Sequence, residues 1–175
     1  MATSQNNLQQ TAMLYGTYMG IFWIFKFALL PIGLVFSPCA LLFMVLTCAV
    51  PVIVFLMTRS FRQKQCGGEL SFFSALVFTF QIYLFAAILT AIGHYLYFQY
   101  LDNGFIYTQI QTQLEVLKDE PAMKAQISQI THAMDVLSGL TPIQLTMQLL
   151  SQNIFYGIIF SLPIAMLTMR KGKRQ

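Results

Sequence analysis

Three stretches of the chain, residues 27–58, 70–101 and 136–169, contain no charged side chain over at least 32 consecutive positions. A helix needs about 20 apolar residues to cross the hydrocarbon core of a bilayer, so each stretch is long enough to span a membrane. Only 9% of the 175 residues are charged and 57% are hydrophobic, whereas about 25% of the residues in an average soluble domain are charged. Because a soluble fold of this size could not bury so much apolar surface, the sequence predicts an integral membrane protein.

The segment before Lys26 is also free of charge and continues into the first long stretch. It predicts an additional span, and the absence of Lys and Arg from this segment favours a retained helix over a cleaved signal peptide. We expect Pro31 and Gly33 to end this helix and Ser37, followed by Pro38, to begin the next, so that the first two spans form a tight hairpin. The predicted fold is an all-α integral membrane four-helix bundle, one membrane domain over residues 1–175, with spans near 12–30, 38–58, 71–97 and 142–169.

The distribution of basic residues predicts how the spans are oriented. Lys and Arg are concentrated between the second and third spans and after the fourth: Arg59, Arg62, Lys64, Arg170, Lys171, Lys173 and Arg174. By the positive-inside rule, both termini are cytoplasmic and residues 102–141 lie on the outer side. The net charge of +4 at pH 7 then reflects topology and anionic inner-leaflet lipid, and we predict no binding to nucleic acid.

Residues 102–141 are predicted to form a periplasmic amphipathic helical hairpin between the third and fourth spans. Apolar residues recur there every three or four positions in two stripes: Ile106, Ile110, Leu114 and Leu117, then Met123, Ile127, Ile130, Met134 and Leu137. Pro121 separates the two helices and Gly139 ends the second. Thr141, Pro142 and Gln144 have the order of a capping box and predict the start of the fourth span. The stripes either pack on each other and on the membrane surface or bind a partner protein.

Lys26 is the one charged residue inside the predicted spans. A lysine at the bilayer centre costs at least about 2.5 kcal/mol on insertion scales, so an ionisable residue there is a candidate functional group. If the first helix ends near Pro31, Lys26 lies roughly 6–8 Å below the outer rim of the membrane. Two hypotheses follow: the side chain snorkels to outer headgroups or to the acidic outer segment, or it binds a ligand or ion.

Other polar residues are predicted to lie at the same depth as Lys26. On the third span, His94 shares a helical face with further polar residues, and on the fourth span glutamines recur every four positions. These residues predict a pocket between the first, third and fourth spans, where the lysine and the imidazole face a phosphate or carboxylate. The alternative is hydrogen bonding between helices, worth about 0.6 kcal/mol per contact. The candidate ligand-binding residues are Lys26, His94, Gln148, Gln152 and Asn153.

Small residues four positions apart predict where the spans pack closely. Such pairs are Gly16 and Gly20 on the first span and Gly157 and Ser161 on the fourth. Their short side chains allow two helix backbones to approach.

No catalytic motif accompanies these features. The sequence has no Gly-rich phosphate loop, HExxH or GxSxG, and Cys39, Cys48 and Cys66 lack the spacing of a metal site or a CxxC motif. No acidic residue lies within a predicted span, so proton-coupled export by an intramembrane glutamate lacks its coupling group. We therefore predict no catalytic residue, no metal site and no cofactor, and an enzyme is the least favoured class of function.

Two segments resemble a known family. They are "RSFRQKQCGGELSFFSALVF" and "LLSQNIFYGIIFSLPIAMLTMRKGKR", the second containing Gln152, Asn153 and Gly157. They are similar to a family of small four-span inner-membrane proteins of unknown function from Bacteroidota, and the resemblance extends over nearly the whole chain. It implies a bacterial cytoplasmic membrane and an envelope-glycan setting near polyprenyl-phosphate glycosyltransferases. It implies no catalytic residue.

Two functional hypotheses follow from the sequence. The first is a non-catalytic accessory or assembly subunit of envelope machinery, whose spans pack on a membrane protein partner, such as a polyprenyl-phosphate glycosyltransferase, or on a second copy of the chain. The alternative is a small transporter or flippase-like protein that binds an anionic lipid or solute in the outer polar pocket. Membrane lipids are expected partners under both hypotheses.

Overall fold

The computed structural model describes residues 2–117 and 124–170, and within these ranges the chain is helical, with no strand. Six helices follow one another in the described residues: α1 (Ala2–Val35), α2 (Ser37–Gln65), α3 (Phe72–Tyr100), α4 (Phe105–Leu117), α5 (Lys124–Ser138) and α6 (Pro142–Thr168). α1, α2, α3 and α6 are each long and apolar enough to cross a membrane. The all-α fold with four candidate spans is therefore confirmed.

The end of α1 differs from the sequence prediction. α1 continues through Pro31 and Gly33 to Val35, so the prediction that these two residues end the helix is wrong. The physical reason is that a spanning helix is surrounded by hydrocarbon, which cannot form hydrogen bonds with its backbone. Ending a helix inside hydrocarbon leaves several backbone groups unpaired, whereas an internal proline removes a single backbone donor.

The connection between α1 and α2 is a single residue, Phe36, which is the N-cap of α2. The sequence suggested Ser37 as the cap of α2, but Ser37 lies inside the first turn of the helix. Pro38 occupies an early helical position, where its missing N–H would have no hydrogen-bond partner in any case. A Cβ atom built on Gly33 would lie 2.8 Å from the backbone nitrogen of Ala40. The absence of a side chain at Gly33 thus permits a tight hairpin between the two helices.

α3 is the central helix of the bundle, because α1 and α6 both pack along it. Its buried residues recur every one to four positions over the range from Ala75 to His94. Gly16 and Gly20 of α1 lie against α3: a Cβ on Gly16 would be 2.5 Å from the Cβ of Phe85, and a Cβ on Gly20 would be 2.9 Å from the Cβ of Leu89. Glycine at these positions therefore lets the two backbones approach closely.

One end of the bundle is closed by contacts of the last turns of α2 and of the α2–α3 loop with the C-terminal end of α6. The Arg62 guanidinium donates to the carbonyl oxygen of Thr168 at 2.8 Å. Leu70 and Arg170 exchange two backbone hydrogen bonds, of 3.0 and 2.9 Å. These contacts fix α2 and α6 together at this end of the bundle.

α4 and α5 lie at the other end. Three members of the predicted apolar stripes, Leu114, Ile127 and Met134, are buried, whereas Ile130 and Leu137 are exposed. The two helices contact each other, and α4 also contacts α1. The stripes are thus used at least partly in local packing. The predicted break at Pro121 and the stripe residue Met123 fall outside the described residues, and the side of the membrane on which α4 and α5 lie stays a prediction.

The start of α6 follows the sequence prediction closely. The Thr141 hydroxyl accepts from the Gln144 backbone N–H, and the Gln144 side chain accepts from the Thr141 backbone N–H at 2.8 Å, forming the capping box. Pro142 is the first helical residue. Because all three residues lie within four consecutive positions, local chemistry alone determines this helix start.

Candidate functional site

A cavity of about 610 Å³ lies among α1, α2, α3 and α6. Its volume is within the range of about 300–1,000 Å³ that is typical of small-molecule sites. The wall is mainly apolar and aromatic, with polar groups from all four helices. It is lined by Trp23, Lys26, Phe27, Leu30, Phe43, Thr47, Cys48, Val50, Pro51, Tyr83, Thr90, His94, Leu149, Gln152, Asn153, Tyr156, Gly157 and Phe160.

Lys26 lies deeper along α1 than the sequence predicted. Since α1 continues to Val35, nine residues follow Lys26 in the helix, or about 14 Å at 1.5 Å per residue. Lys26 is therefore farther from the end of its helix than the sequence predicted, and the snorkelling hypothesis stays a prediction. The Lys26 ammonium nitrogen lies 5.8 Å from the centroid of the Trp23 ring and 5.2 Å from that of the Phe43 ring. Aromatic faces thus stabilise the cation inside the cavity.

No carboxylate within the spans can neutralise Lys26. All acidic residues of the sequence lie outside the four candidate spans: Glu69, Asp102, Glu115, Asp119, Glu120 and Asp135. The other polar side chains of the cavity carry hydroxyl, thiol, amide, indole and imidazole groups, and none carries a carboxylate. The cavity therefore has a positive charge, several hydrogen-bond donors and no acidic group, an arrangement that favours an anion.

Three residues of the cavity wall carry a buried polar atom that has no hydrogen-bond partner within the described part of the chain. These atoms are Nε1 of Trp23, the hydroxyl of Tyr83 and Nδ1 of His94. The three residues are 7%, 2% and 5% exposed. An unsatisfied buried polar group costs about 1–3 kcal/mol, so such groups call for an explanation such as a bound ligand or water. They are concentrated around the same cavity as Lys26.

Packing holds the His94 and Tyr83 side chains in place. The His94 ring centroid lies 4.2 Å from that of Phe27, in an edge-on arrangement. Tyr83 lies against Gly157, because a Cβ atom built on Gly157 would be 2.7 Å from the Tyr83 Cβ. The Ser161 hydroxyl donates to the Gly157 carbonyl oxygen at 2.6 Å. Gly157 thus lets α6 approach α3 at the wall of the cavity.

The structure brings together four of the five residues that the sequence proposed for ligand binding. Lys26, His94, Gln152 and Asn153 all line the cavity. Gln148 is exposed and is not part of the wall. The Gln152 amide donates to the Tyr156 hydroxyl at 3.2 Å.

The contribution of α2 was missed at the sequence level. α2 supplies five wall residues, including Phe43, Thr47 and Cys48, whereas the sequence predicted a pocket among the first, third and fourth spans only. α2 is apolar on nearly every face, so its sequence contains no polar stripe that would indicate which side faces the bundle. The single tryptophan, Trp23, three residues before Lys26, was an available signal for the aromatic contact with the ammonium.

A family model described as "Protein of unknown function (DUF4199)" matches residues 14–170. The chain belongs to the DUF4199 family. The predicted membership of a family of unknown function is thus confirmed, and every residue of the DUF4199 cavity lies within the matched range. No curated protein and no solved structure matches the chain.

The chemistry that this DUF4199 cavity offers is binding of an anion. Among residues 2–117 and 124–170, no group of three or more His, Cys, Asp and Glu side chains could hold a metal ion. Lys26 supplies charge, Gln152 and Asn153 supply amide donors, and aromatic rings supply an apolar wall. This combination suits a ligand that is both anionic and partly apolar.

Proposed function

We propose that this DUF4199 protein is a multi-pass protein of the bacterial cytoplasmic membrane, with both termini in the cytoplasm, that binds a phosphate or carboxylate group in its cavity. The observation that carries the proposal is the position of Lys26: an ammonium group within the bundle, against Trp23 and Phe43, with no carboxylate in any span. A charge so placed is costly unless a counter-ion accompanies it. A bound anion supplies that counter-ion.

The polar atoms around the cavity support the same proposal. The hydroxyl of Tyr83 and Nε1 of Trp23 are buried and unpartnered in the described residues, and both are hydrogen-bond donors. Both residues line the cavity, so each can give an anion bound there a second donor beside the ammonium. Hydrogen bonds to a charged group are worth about 1.5–3 kcal/mol each, roughly twice those between neutral groups.

The accessory-subunit hypothesis, with a polyprenyl-phosphate glycosyltransferase as partner, has less support from the geometry. One of its supports was the apolar face of the α4–α5 segment, which the sequence allowed either to pack locally or to bind a partner. Leu114, Ile127 and Met134 of that face are buried within the chain itself. The Bacteroidota origin and the envelope-glycan setting, which the family resemblance implies, stay predictions.

The experiment that tests the proposal measures binding of a fluorescent phosphatidic acid to the full chain in mild detergent. The double variant Lys26→Met and His94→Phe keeps the size of the side chains and removes the cation and the imidazole. A hydrogen bond to a charged group is worth about 1.5–3 kcal/mol, and about 1.4 kcal/mol corresponds to a factor of ten in affinity. Loss of one such contact should therefore weaken binding at least tenfold. Lys64→Met, the same change at an exposed position outside the cavity, should bind like the native chain. Equal affinity of the double variant and the native chain would overturn the proposal.

A further inference from the structure

We propose that the anion is the headgroup of a membrane lipid, which enters the cavity sideways from the bilayer through an opening between α2 and α6. This inference rests on the proposed function, because it names the molecule that carries the anionic group. It is supported by a separate set of observations, namely which parts of the cavity wall are exposed and what surrounds them.

The exposed part of the cavity wall belongs to α2 and α6. Thr47 and Cys48 of α2 are exposed, as are Gln152 and Tyr156 of α6. The wall residues of α3, by contrast, are buried, with His94 at 5% exposure. The cavity therefore opens to the surface of the bundle between α2 and α6, and α3 forms its back wall.

The packing of α2 explains why an opening exists there. In α2, which the structure describes in full, no residue before Val50 is buried. The buried residues of α2 begin at Val50 and continue to Phe61, next to Arg62 and its bond to Thr168. α2 and α6 thus contact each other at the Arg62–Thr168 end of the bundle. The cavity lies between them farther along the two helices, at residues 43–51 of α2 and 149–160 of α6.

The surroundings of the opening indicate hydrocarbon and not water. Large apolar side chains on the same two helices are exposed beside it, with Met44 at 66% and Val45 at 56% on α2 and Phe155 at 60% on α6. Both helices are candidate membrane spans. A ligand that reaches the cavity through this face comes from the bilayer, so a lipid fits and a water-dissolved anion does not.

The charge distribution orients the lipid. Lys26 lies on α1, and the Tyr83 and His94 side chains lie on α3, the two helices that do not border the opening, while Gln152 of α6 adds an amide donor at the opening itself. The headgroup therefore lies inside the bundle against Lys26. The acyl chains remain between α2 and α6, where the neighbouring side chains are apolar.

Two native cysteines provide the test. Cys48 lies in the opening, whereas Cys39, in the first turn of the same helix, is outside the cavity wall. The full chain in mild detergent is treated with a small maleimide, and modification of each cysteine is followed by mass spectrometry of peptides. The additions are phosphatidic acid, diacylglycerol with the same chains, and inorganic phosphate. The native chain is compared with Lys26→Met.

Phosphatidic acid at about ten times its dissociation constant should slow modification of Cys48 roughly tenfold, because only the unoccupied protein reacts, and should leave Cys39 unchanged. Diacylglycerol should not protect Cys48, since it lacks the anionic group, and Lys26→Met should lose the protection. Equal protection by inorganic phosphate would overturn the inference and leave anion binding intact. Lys26-dependent binding of phosphatidic acid without protection of Cys48 would overturn it as well, whereas binding that ignores Lys26→Met would overturn the proposed function itself.

Discussion

The ammonium nitrogen of Lys26 lies 5.2 Å from the centroid of the Phe43 ring. This contact joins α1 to α2 across the cavity and holds the cation inside the bundle. It also connects two features of the proposed site, a charge without a carboxylate in any span and a helix, α2, with no buried residue before Val50.

Replacing Phe43 by leucine should weaken the hold on the ammonium group. A cation over an aromatic face is stabilised by about 0.5–2 kcal/mol, so we expect a loss of stability in this range. Thermal unfolding in mild detergent measures it. Phe25→Leu makes the same change at a position that is 63% exposed and should have a smaller effect. A larger loss for Phe25→Leu than for Phe43→Leu would contradict the described contact.

Gln152 lines the cavity, whereas Gln148, one turn earlier on α6, is exposed outside it. Gln152→Leu removes an amide donor from the wall and should weaken phosphatidic acid binding severalfold, since a hydrogen bond to a charged group is worth about 1.5–3 kcal/mol. Gln148→Leu alters an exposed residue one turn away and should leave the affinity nearly unchanged. Titration of both variants with the fluorescent lipid checks this. Equal weakening by the two substitutions would mean that the binding site extends beyond the cavity.

Gly157→Ala should destabilise the bundle at the contact between α3 and α6. The added methyl group would lie 2.7 Å from the Tyr83 Cβ, and overpacking of this kind costs about 1–3 kcal/mol. Gly139→Ala is a matched control, because the nearest neighbour of its Cβ would be a backbone oxygen at 3.7 Å, an ordinary contact. A lowered midpoint of thermal unfolding for Gly157→Ala alone is expected. Equal midpoints for the two variants would contradict the close approach of the helices.

Cys66 offers a test outside the spans. Burial raises the pKa of the Cys66 thiol above its ordinary value. Since the thiolate is the reactive form, a higher pKa means that a higher pH is needed before the folded chain reacts. The rate of maleimide modification of Cys66 should therefore rise at a higher pH in the folded chain than in the chain unfolded by denaturant. Coincident pH profiles for the two states would contradict the described burial.

The orientation of the chain is checked by cysteine labelling in intact bacterial cells. The positive-inside rule predicts that position 125 lies outside the cytoplasmic membrane and that position 172 lies in the cytoplasm. An impermeant thiol reagent should modify Ala125→Cys and should not modify Gly172→Cys until the cells are opened. The opposite pattern would invert the predicted topology.

The sequence predicted the spans well where the signal was local. The start of α6 is determined by Thr141, Pro142 and Gln144, which lie within four consecutive positions, and charge-free runs located all four candidate spans. The end of α1 was mispredicted because a rule learned from soluble helices was applied to Pro31. In hydrocarbon the cost of unpaired backbone groups outweighs one lost hydrogen bond.

The cavity could be predicted only in part, for a related reason. Polar residues on α1, α3 and α6 indicated a pocket, and four of the five proposed residues line it. The part played by α2 depends on where this helix separates from the bundle, which is decided by packing between helices far apart in sequence. An almost uniformly apolar helix contains no pattern from which that separation could be inferred.

The most direct test of the central claim is a solid-state NMR measurement of dipolar coupling between lysine side-chain ¹⁵N and lipid ³¹P, on the full chain in bilayers that contain phosphatidic acid. The account predicts a lysine ammonium signal that is dephased by ³¹P and that disappears in Lys26→Met, while it persists in Lys64→Met. If Lys26→Met removes no dephased signal, the ammonium group in the cavity does not bind the lipid phosphate, and the central claim is contradicted.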